Sequence, residues 1–157
     1  MAEAREAHEV DIPEMLKMGR AMHAESPRFS RLRYSETKAE DLLRHMIVGT
    51  LVTDALGGGF VVEKEGKLVG MLLGYVTEYF FSEERIATDL VVYVRPEHRG
   101  GRTFSQLVHA FERWAASKGV REIMFGISTE VHVEATTGAY ERMGYAAMGR
   151  LVLKKAA

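Results

Sequence analysis

One segment of the chain, residues 86–118, constrains the possible folds more than any other. It opens with a run rich in β-branched residues at 86–94, which Arg95-Pro96 closes. A run of this kind predicts a strand that is buried on both faces at the centre of a sheet. Gly100-Gly101 follows, and the apolar periodicity after it predicts a long amphipathic helix over 101–118. The segment therefore predicts a strand, a glycine turn and a helix, a unit typical of α/β domains.

Two capping patterns mark the starts of helices in the first third of the chain. Asp11 with Glu14, and Thr37 with Glu40, each place a capping side chain three residues before a glutamate. Apolar residues recur at three- and four-residue spacing after each cap, as on one buried face of a helix. The sequence predicts one helix from the first cap and a second from Thr37 to near Gly49.

The remaining segments alternate between strand and helix patterns. Short apolar runs at 60–63 and 68–76 flank a glycine turn and predict a β-hairpin. Further along, the pattern predicts a strand at 121–127, a helix at 133–143 and one or two closing strands at 145–154. This order predicts a three-layer α/β fold, in which a mixed, mostly antiparallel central sheet carries helices on both faces.

Length, composition and charge limit the number of domains and the kinds of partner that we expect. The 157 residues are 46% hydrophobic and suit one core, so we expect a single domain over residues 1–157. The net charge is −1, so no overall field draws the protein to nucleic acid or to an anionic membrane, and we expect neither as a partner. No export signal or long apolar span is visible in the sequence, and we expect a cytoplasmic protein.

Cysteine is absent from the chain, and this excludes several kinds of chemistry. Without cysteine there is no disulfide framework, no thiolate zinc site and no cysteine nucleophile. The six histidines show no metal-ligand spacing, such as two on one helical turn with a carboxylate. We therefore expect no metal, and we expect any group transfer to proceed without a cysteine-bound intermediate.

The turn between the central strand and the long helix has the features of an anion site. Glycine lets backbone N–H groups approach an anion closely, and the helix dipole adds partial positive charge at the same end. Arg99 and Arg102 flank Gly100-Gly101 and could grip phosphate oxygens. The pattern suits a pyrophosphate. The alternative is an ordinary strand-to-helix turn with solvated arginines.

The same turn resembles motif A of the GCN5-related N-acetyltransferases (GNATs). In that family a strand ending in valine-x-proline leads into arginine-glycine-x-glycine and a helix, and Val94-Arg95-Pro96 and Arg99-Gly100-Gly101 match this pattern. The resemblance implies that acetyl-coenzyme A is the cosubstrate. It implies that amides of the turn hold the pyrophosphate, while the strand end pairs with the pantetheine arm. The implied coenzyme residues are Val92, Tyr93, Val94, Arg99, Gly100, Gly101, Arg102, Thr103 and Phe104.

A second match lies downstream, at residues 139–145. Its order of tyrosine, glutamate, glycine and tyrosine resembles the tyrosine-glutamate-x-x-glycine-aromatic segment of GNATs. The resemblance implies that Tyr140 reaches the coenzyme sulfur, where a phenol can protonate or stabilise the leaving thiolate. We therefore predict Tyr140 as the catalytic acid. The alternative is a core aromatic on the apolar stripe of its helix.

Two carboxylates are alternatives for the base that takes a proton from the amine. Asp89 lies in the apolar central strand, where an unpaired carboxylate is costly, so it is either hydrogen-bonded or functional. Glu78 lies where the hairpin strand should end near the acceptor cleft, although strand ends are often polar for solubility alone. His98 and His132 flank the two motifs, and neither receives a role.

The connector between the first two helices alternates cations with aromatic or apolar residues. Its cations are Arg28, Arg31 and Arg33. In GNATs this link commonly borders the acceptor site, which implies here an acceptor that carries a carboxylate or phosphate. The alternatives are a solvated loop and a grip on nucleic acid, and the near-neutral net charge argues against the second.

The two motifs together predict an acyltransferase. We predict direct transfer of an acetyl group from acetyl-coenzyme A to a primary amine of a small molecule or protein. The alternative is a non-catalytic module that keeps the coenzyme site as a sensor or scaffold, and turnover distinguishes the two. A homodimer is left open.

Overall fold

A computed structural model describes residues 2–49 and 55–156, and its centre is a five-stranded sheet. The strands lie in chain order, with the first four antiparallel to their neighbours and the fifth parallel to the fourth. The predicted mixed, mostly antiparallel sheet is confirmed. The strands are β1 (Ala4–Glu6), β2 (Leu56–Lys64), β3 (Lys67–Glu78), β4 (Arg85–Val94) and β5 (Glu122–Met124).

Helices cover both faces of this sheet. They are α1 (Ile12–Glu25), α2 (Glu36–Ile47), α3 (Thr103–Ser117) and α4 (Val133–Arg142). Met15 of α1 and Met46 of α2 form one buried cluster with Met71 of the sheet. Phe111 of α3 and Tyr140 of α4 belong to a second cluster, on the other face. The predicted three-layer α/β architecture is confirmed, and none of the described helices is long and apolar enough to cross a membrane.

A β-bulge in β4 changes which side chains face α3 and α4. The register with β3 shifts between Leu73 and Gly74, and Leu90 is left as an extra residue in β4. Side chains alternate along a strand, so one inserted residue reverses the alternation beyond it. Asp89 shares a face with Ala87 by alternation, and the bulge puts Val92 and Val94 on that same face, in the cluster with α3. Without the bulge, Asp89 and Val92 would lie on opposite faces of the sheet.

The two parallel strands pair only near their beginnings, through residues 86–88 and Glu122–Met124. The strand predicted at 121–127 is shorter than expected, because the backbone N–H of Gly126 donates to the Asp89 carboxylate instead of to a ladder partner. The predicted central strand is also less buried than expected, since residues 88–92 are only partly buried or exposed. Ligands of α/β folds bind at the carboxyl ends of parallel strands, where this opening lies.

Two local predictions were wrong, and one short strand was missed. The second helix is capped by Ser35, whose hydroxyl accepts from the Lys38 N–H at 3.3 Å, and not by Thr37. No strand forms over 145–154 in the described part of the chain, and the apolar side chains of Leu151 and Val152 are exposed without a sheet edge to pack on. The short edge strand β1 was not predicted, because its three residues are too few to carry a strand pattern.

Candidate active site

A cavity of about 640 Å³ lies where β4 and β5 part. Its walls are the second half of β4, the glycine turn, the first residues of α3, the segment 126–132 and one face of α4. Volumes of about 300–1,000 Å³ are usual for small-molecule sites. Arg102 and Thr103 are not among the lining residues. The predicted coenzyme residues that line the cavity are Val92, Tyr93, Val94, Arg99, Gly100, Gly101 and Phe104.

The turn before α3 leaves room for an anion against its backbone. Gly100 has a φ of +80°, which glycine adopts without strain. A Cβ added to Gly100 would meet no atom of the described residues within 4 Å, and one added to Gly101 would meet the His98 carbonyl oxygen at 3.9 Å. The N-terminus of α3 contributes partial positive charge beside this space. The residues present therefore fit a pyrophosphate held by backbone N–H groups.

The side chain of Thr103 faces the sheet and not the cavity. It is fully buried, and its hydroxyl has no hydrogen-bond partner among the described residues. Its methyl group packs so closely on Gly70 that a Cβ added there would lie 2.9 Å from it. The first N–H groups of a helix lack intrahelical partners, so the backbone N–H of Thr103 is the group that suits an anion.

The guanidinium of Arg99 is paired with a carboxylate of α1. It donates to both carboxylate oxygens of Glu25, at 2.6 and 2.7 Å, and its Nε donates to the Val94 carbonyl oxygen at 2.9 Å. This hydrogen-bonded pairing with Arg99 lowers the pKa of Glu25 below its usual value, although burial opposes the shift. The predicted contact between Arg99 and phosphate stays a prediction.

Asp89 lies in the cavity wall with a raised pKa. Burial raises this pKa from 3.8 to about 6, and the Gly126 N–H that donates to Oδ1 at 2.9 Å opposes the shift. A carboxylate with a pKa near 6 is mostly ionised at neutral pH and is still basic enough to accept a proton. Glu78, the other candidate base, is exposed at the end of β3 and is not a lining residue. Its role as base stays a prediction.

Tyr140 lines the same cavity from α4 and is only 6% exposed. Its ring packs against Phe104 and Phe125, with centroid distances of 5.0 and 4.7 Å. Burial, and secondarily the charge of Asp89, raise the pKa of Tyr140 far above its usual value of 10. The hydroxyl therefore keeps its proton at neutral pH. The structure brings the predicted acid and one of the two predicted bases into one cavity.

The connector between α1 and α2 meets the cavity through Phe29, which is a lining residue. The guanidinium of Arg28 donates to the Ser128 carbonyl oxygen at 3.2 Å, and Nε of Arg31 donates to the Arg28 carbonyl oxygen at 3.3 Å. Arg31 and Arg33 are exposed. The connector therefore borders the cavity, while the role of its arginines toward an acceptor stays a prediction.

Three residues that shape the site were not predicted: Glu25, Ser26 and Gly126. Glu25 ends a helix, where the dipole disfavours negative charge, and this position is a signal for a cationic partner. Gly126 stands in a strand pattern, which is a signal for close backbone approach. Ser26 is fully buried and donates to the Thr129 carbonyl oxygen at 2.6 Å, and no local signal points to that contact across 103 residues.

The sequence matches the model of the acetyltransferase (GNAT) family over residues 19–145. A search of curated proteins found no match. The matched range includes the glycine turn, Asp89 and Tyr140, and it ends at the last residue of the second predicted motif.

Solved structures with a similar fold cover nearly the whole chain. A transcriptional regulator from Bacillus halodurans C-125 is 22% identical with a TM-score of 0.76, over 99% of this chain and 100% of that one. AAC(6')-Iy, in complex with the bisubstrate analog CoA-S-monomethyl-acetylneamine, is 16% identical with a TM-score of 0.72, over 100% and 99%. The ribosomal-protein-alanine N-acetyltransferase from Brucella melitensis biovar Abortus 2308 is 19% identical with a TM-score of 0.73, over 99% of each chain. At these identities the likeness shows the fold.

Proposed function

Because this chain belongs to the GNAT acetyltransferase family, we propose that it transfers an acetyl group from acetyl-coenzyme A directly to an amine. One observation carries the proposal: an open glycine turn, a carboxylate with a pKa of about 6 and a protonated phenol line the same cavity. These are an anion site, a base and an acid. Bound there, acetyl-coenzyme A supplies the activated acetyl group as a thioester.

In the proposed reaction Asp89 accepts the proton that the attacking amine loses. The bulge in β4 puts its side chain on the same face as Val92, so that both line the cavity, and the Gly126 N–H holds the carboxylate through Oδ1. The extra residue of a bulge is left unpaired in the ladder, and Leu90, which is that residue, lines the cavity. Backbone N–H groups at this position suit the negative charge that develops on the acyl oxygen.

Tyr140 acts at the other end of the transfer, where it donates its hydroxyl proton to the departing sulfur. The phenol is protonated at neutral pH, and the rings of Phe104 and Phe125 fix it in place. The chain contains no cysteine, so the acetyl group passes to the amine without a cysteine-bound intermediate.

For the acceptor we propose a primary amine of a small molecule or protein. Proteins of the same fold include an aminoglycoside acetyltransferase in complex with sisomicin and the ribosomal-protein-alanine N-acetyltransferase, so the fold accommodates both classes. The connector borders the cavity, and its cations Arg28, Arg31 and Arg33 favour an acceptor that also carries a carboxylate or phosphate.

Replacing Gly101 with aspartate is expected to remove coenzyme binding while the fold persists. The new side chain would enter the open space at the turn, and its charge would repel a phosphate there. Two unit charges about 4 Å apart near a protein surface repel by about 4 kcal/mol. A hundredfold change in affinity needs about 2.8 kcal/mol, so we expect the Kd for coenzyme A to rise by roughly a hundredfold or more. Calorimetric titration with coenzyme A measures this.

Gly149→Asp is the matched control, because it adds the same charge in open space at a residue that does not line the cavity. Its Kd should equal that of the wild type. Unchanged coenzyme affinity in a folded Gly101→Asp variant would remove the glycine turn from the site.

A further inference from the structure

Two ion pairs tie α1 to the residues that follow β4. Glu14, near the start of α1, pairs with Arg95 at 3.4 Å, and Glu25, at its end, pairs with Arg99 at 2.6 Å. All four side chains are partly buried to a similar degree. The pairs differ in one respect, because Glu25 and Arg99 both line the cavity, whereas Glu14 and Arg95 do not.

The pairing occupies the part of Arg99 that would bind phosphate. A guanidinium grips a carboxylate or a phosphate through the same two parallel N–H groups, and here both oxygens of Glu25 take them. The Nε–H donates to the Val94 carbonyl oxygen, and the guanidinium carbon lies 5.6 Å from the centre of the Tyr93 ring. Arg99 is thus anchored directly before Gly100, with its charge already balanced.

The negative charge of Glu25 is stabilised by Arg99 and disfavoured by the helix to which it belongs. As the last residue of α1 it lies at the negative end of the helix dipole, which disfavours its charge. The guanidinium of Arg99 offsets that cost. Two of the five guanidinium N–H groups are left over, one on each terminal nitrogen, and they do not share an edge. An anion that binds Arg99 through two parallel N–H groups therefore has to displace Glu25.

We propose that Glu25 competes with the pyrophosphate of coenzyme A for the guanidinium of Arg99 and thereby sets the affinity of the site for the coenzyme. The inference rests on the proposed function, because it takes the glycine turn as the pyrophosphate site. Glu25 is then an affinity-setting residue that weakens coenzyme binding. A purely structural brace between α1 and the turn would do the opposite, since breaking it would disorder the site.

Glu25→Gln separates these two roles by the sign of its effect. The glutamine keeps the shape of the side chain and removes the charge, so competition predicts that the Kd for coenzyme A falls by about three- to tenfold. Calorimetric titration with coenzyme A measures it, with chemical denaturation to verify that the variant is folded. Glu14→Gln is the matched control on the same helix, and its Kd should stay that of the wild type.

A double-mutant cycle separates the competition for Arg99 from any general effect of Glu25→Gln on the fold. In an Arg99→Gln background there is no guanidinium for Glu25 and the pyrophosphate to compete for. Adding Glu25→Gln should therefore leave the Kd for coenzyme A unchanged. A rise in Kd for Glu25→Gln alone, or an equal fall in both backgrounds, overturns the competition while leaving coenzyme binding intact. A wild type that binds no coenzyme A overturns the proposed function and this inference together.

Discussion

A Tyr140→Phe variant is expected to bind acetyl-coenzyme A normally and to turn over about ten- to a thousandfold more slowly than the wild type. The substitution keeps the ring that packs on Phe104 and Phe125 and deletes only the hydroxyl. Because the proton donor to the leaving sulfur is lost, kcat should fall while the Kd for the coenzyme stays nearly constant. Steady-state kinetics with thiol detection, paired with calorimetry, measure the two quantities separately.

Tyr145→Phe is the matched control for this prediction. The Tyr145 ring lies 5.5 Å from that of Tyr140, but its hydroxyl donates to Glu112 at 2.7 Å, and the residue does not line the cavity. Loss of the Tyr145 hydroxyl should lower the free energy of unfolding by about 1 kcal/mol and leave kcat unchanged. Wild-type turnover in Tyr140→Phe would reduce Tyr140 to a packing residue.

Asp89→Asn should produce the other large loss, roughly a hundred- to ten-thousandfold in kcat/KM, because the proton acceptor disappears. The amide oxygen can still accept from the Gly126 N–H, so the strand geometry is preserved. In the wild type, kcat/KM should rise with pH until Asp89 is ionised, near its pKa of about 6, and this limb should be missing in the variant. A pH–rate profile that is the same in both proteins would assign the base to another group, with Glu78 the first to test.

The same variant has a measurable signature in stability. The pKa of Asp89 is raised from 3.8 to about 6 in the fold, so its stabilising contribution is complete below pH 3.8 and is lost as pH rises through 6. The shift corresponds to at most about 3 kcal/mol. Relative to Asp89→Asn, the wild type should therefore lose free energy of unfolding between pH 4 and 7. Denaturant unfolding of both proteins at pH 4 and pH 7 tests this. A difference in free energy of unfolding between wild type and Asp89→Asn that is the same at both pH values would contradict the raised pKa.

Local sequence signals were sufficient for most of the architecture and for the glycine turn. The apolar run of β4, the amphipathic α3 and the glycines between them each leave a short-range pattern, and the layers follow from their order. The cap of α2 was misplaced by two residues, because Ser35 and Thr37 are both favourable capping side chains and only Thr37 has a glutamate three residues later. Only the backbone conformation shows which of the two residues caps the helix.

The geometry around Asp89 was beyond sequence patterns. Strict alternation along β4 would place Asp89 on the layer opposite Val92, and the bulge at Leu90 reverses this. A bulge depends on how β3 and β4 pair, which a single segment does not encode. The pairing of Arg99 with Glu25 spans 74 residues and is equally invisible locally. The segment 145–154 shows the opposite error, since its apolar pattern predicts strands that have no partner edge in the described fold.

The central claim is that one cavity binds acetyl-coenzyme A and passes its acetyl group to an amine. The most direct measurement is release of free coenzyme A thiol from acetyl-coenzyme A, with a panel containing an aminoglycoside, a polyamine, an amino sugar phosphate and peptides with free N-termini. We expect at least one amine to accelerate thiol release in the wild type and in Gly149→Asp, and not in Gly101→Asp. Tight acetyl-coenzyme A binding with no amine-dependent release across the panel would contradict the claim and favour a coenzyme-binding module without catalysis.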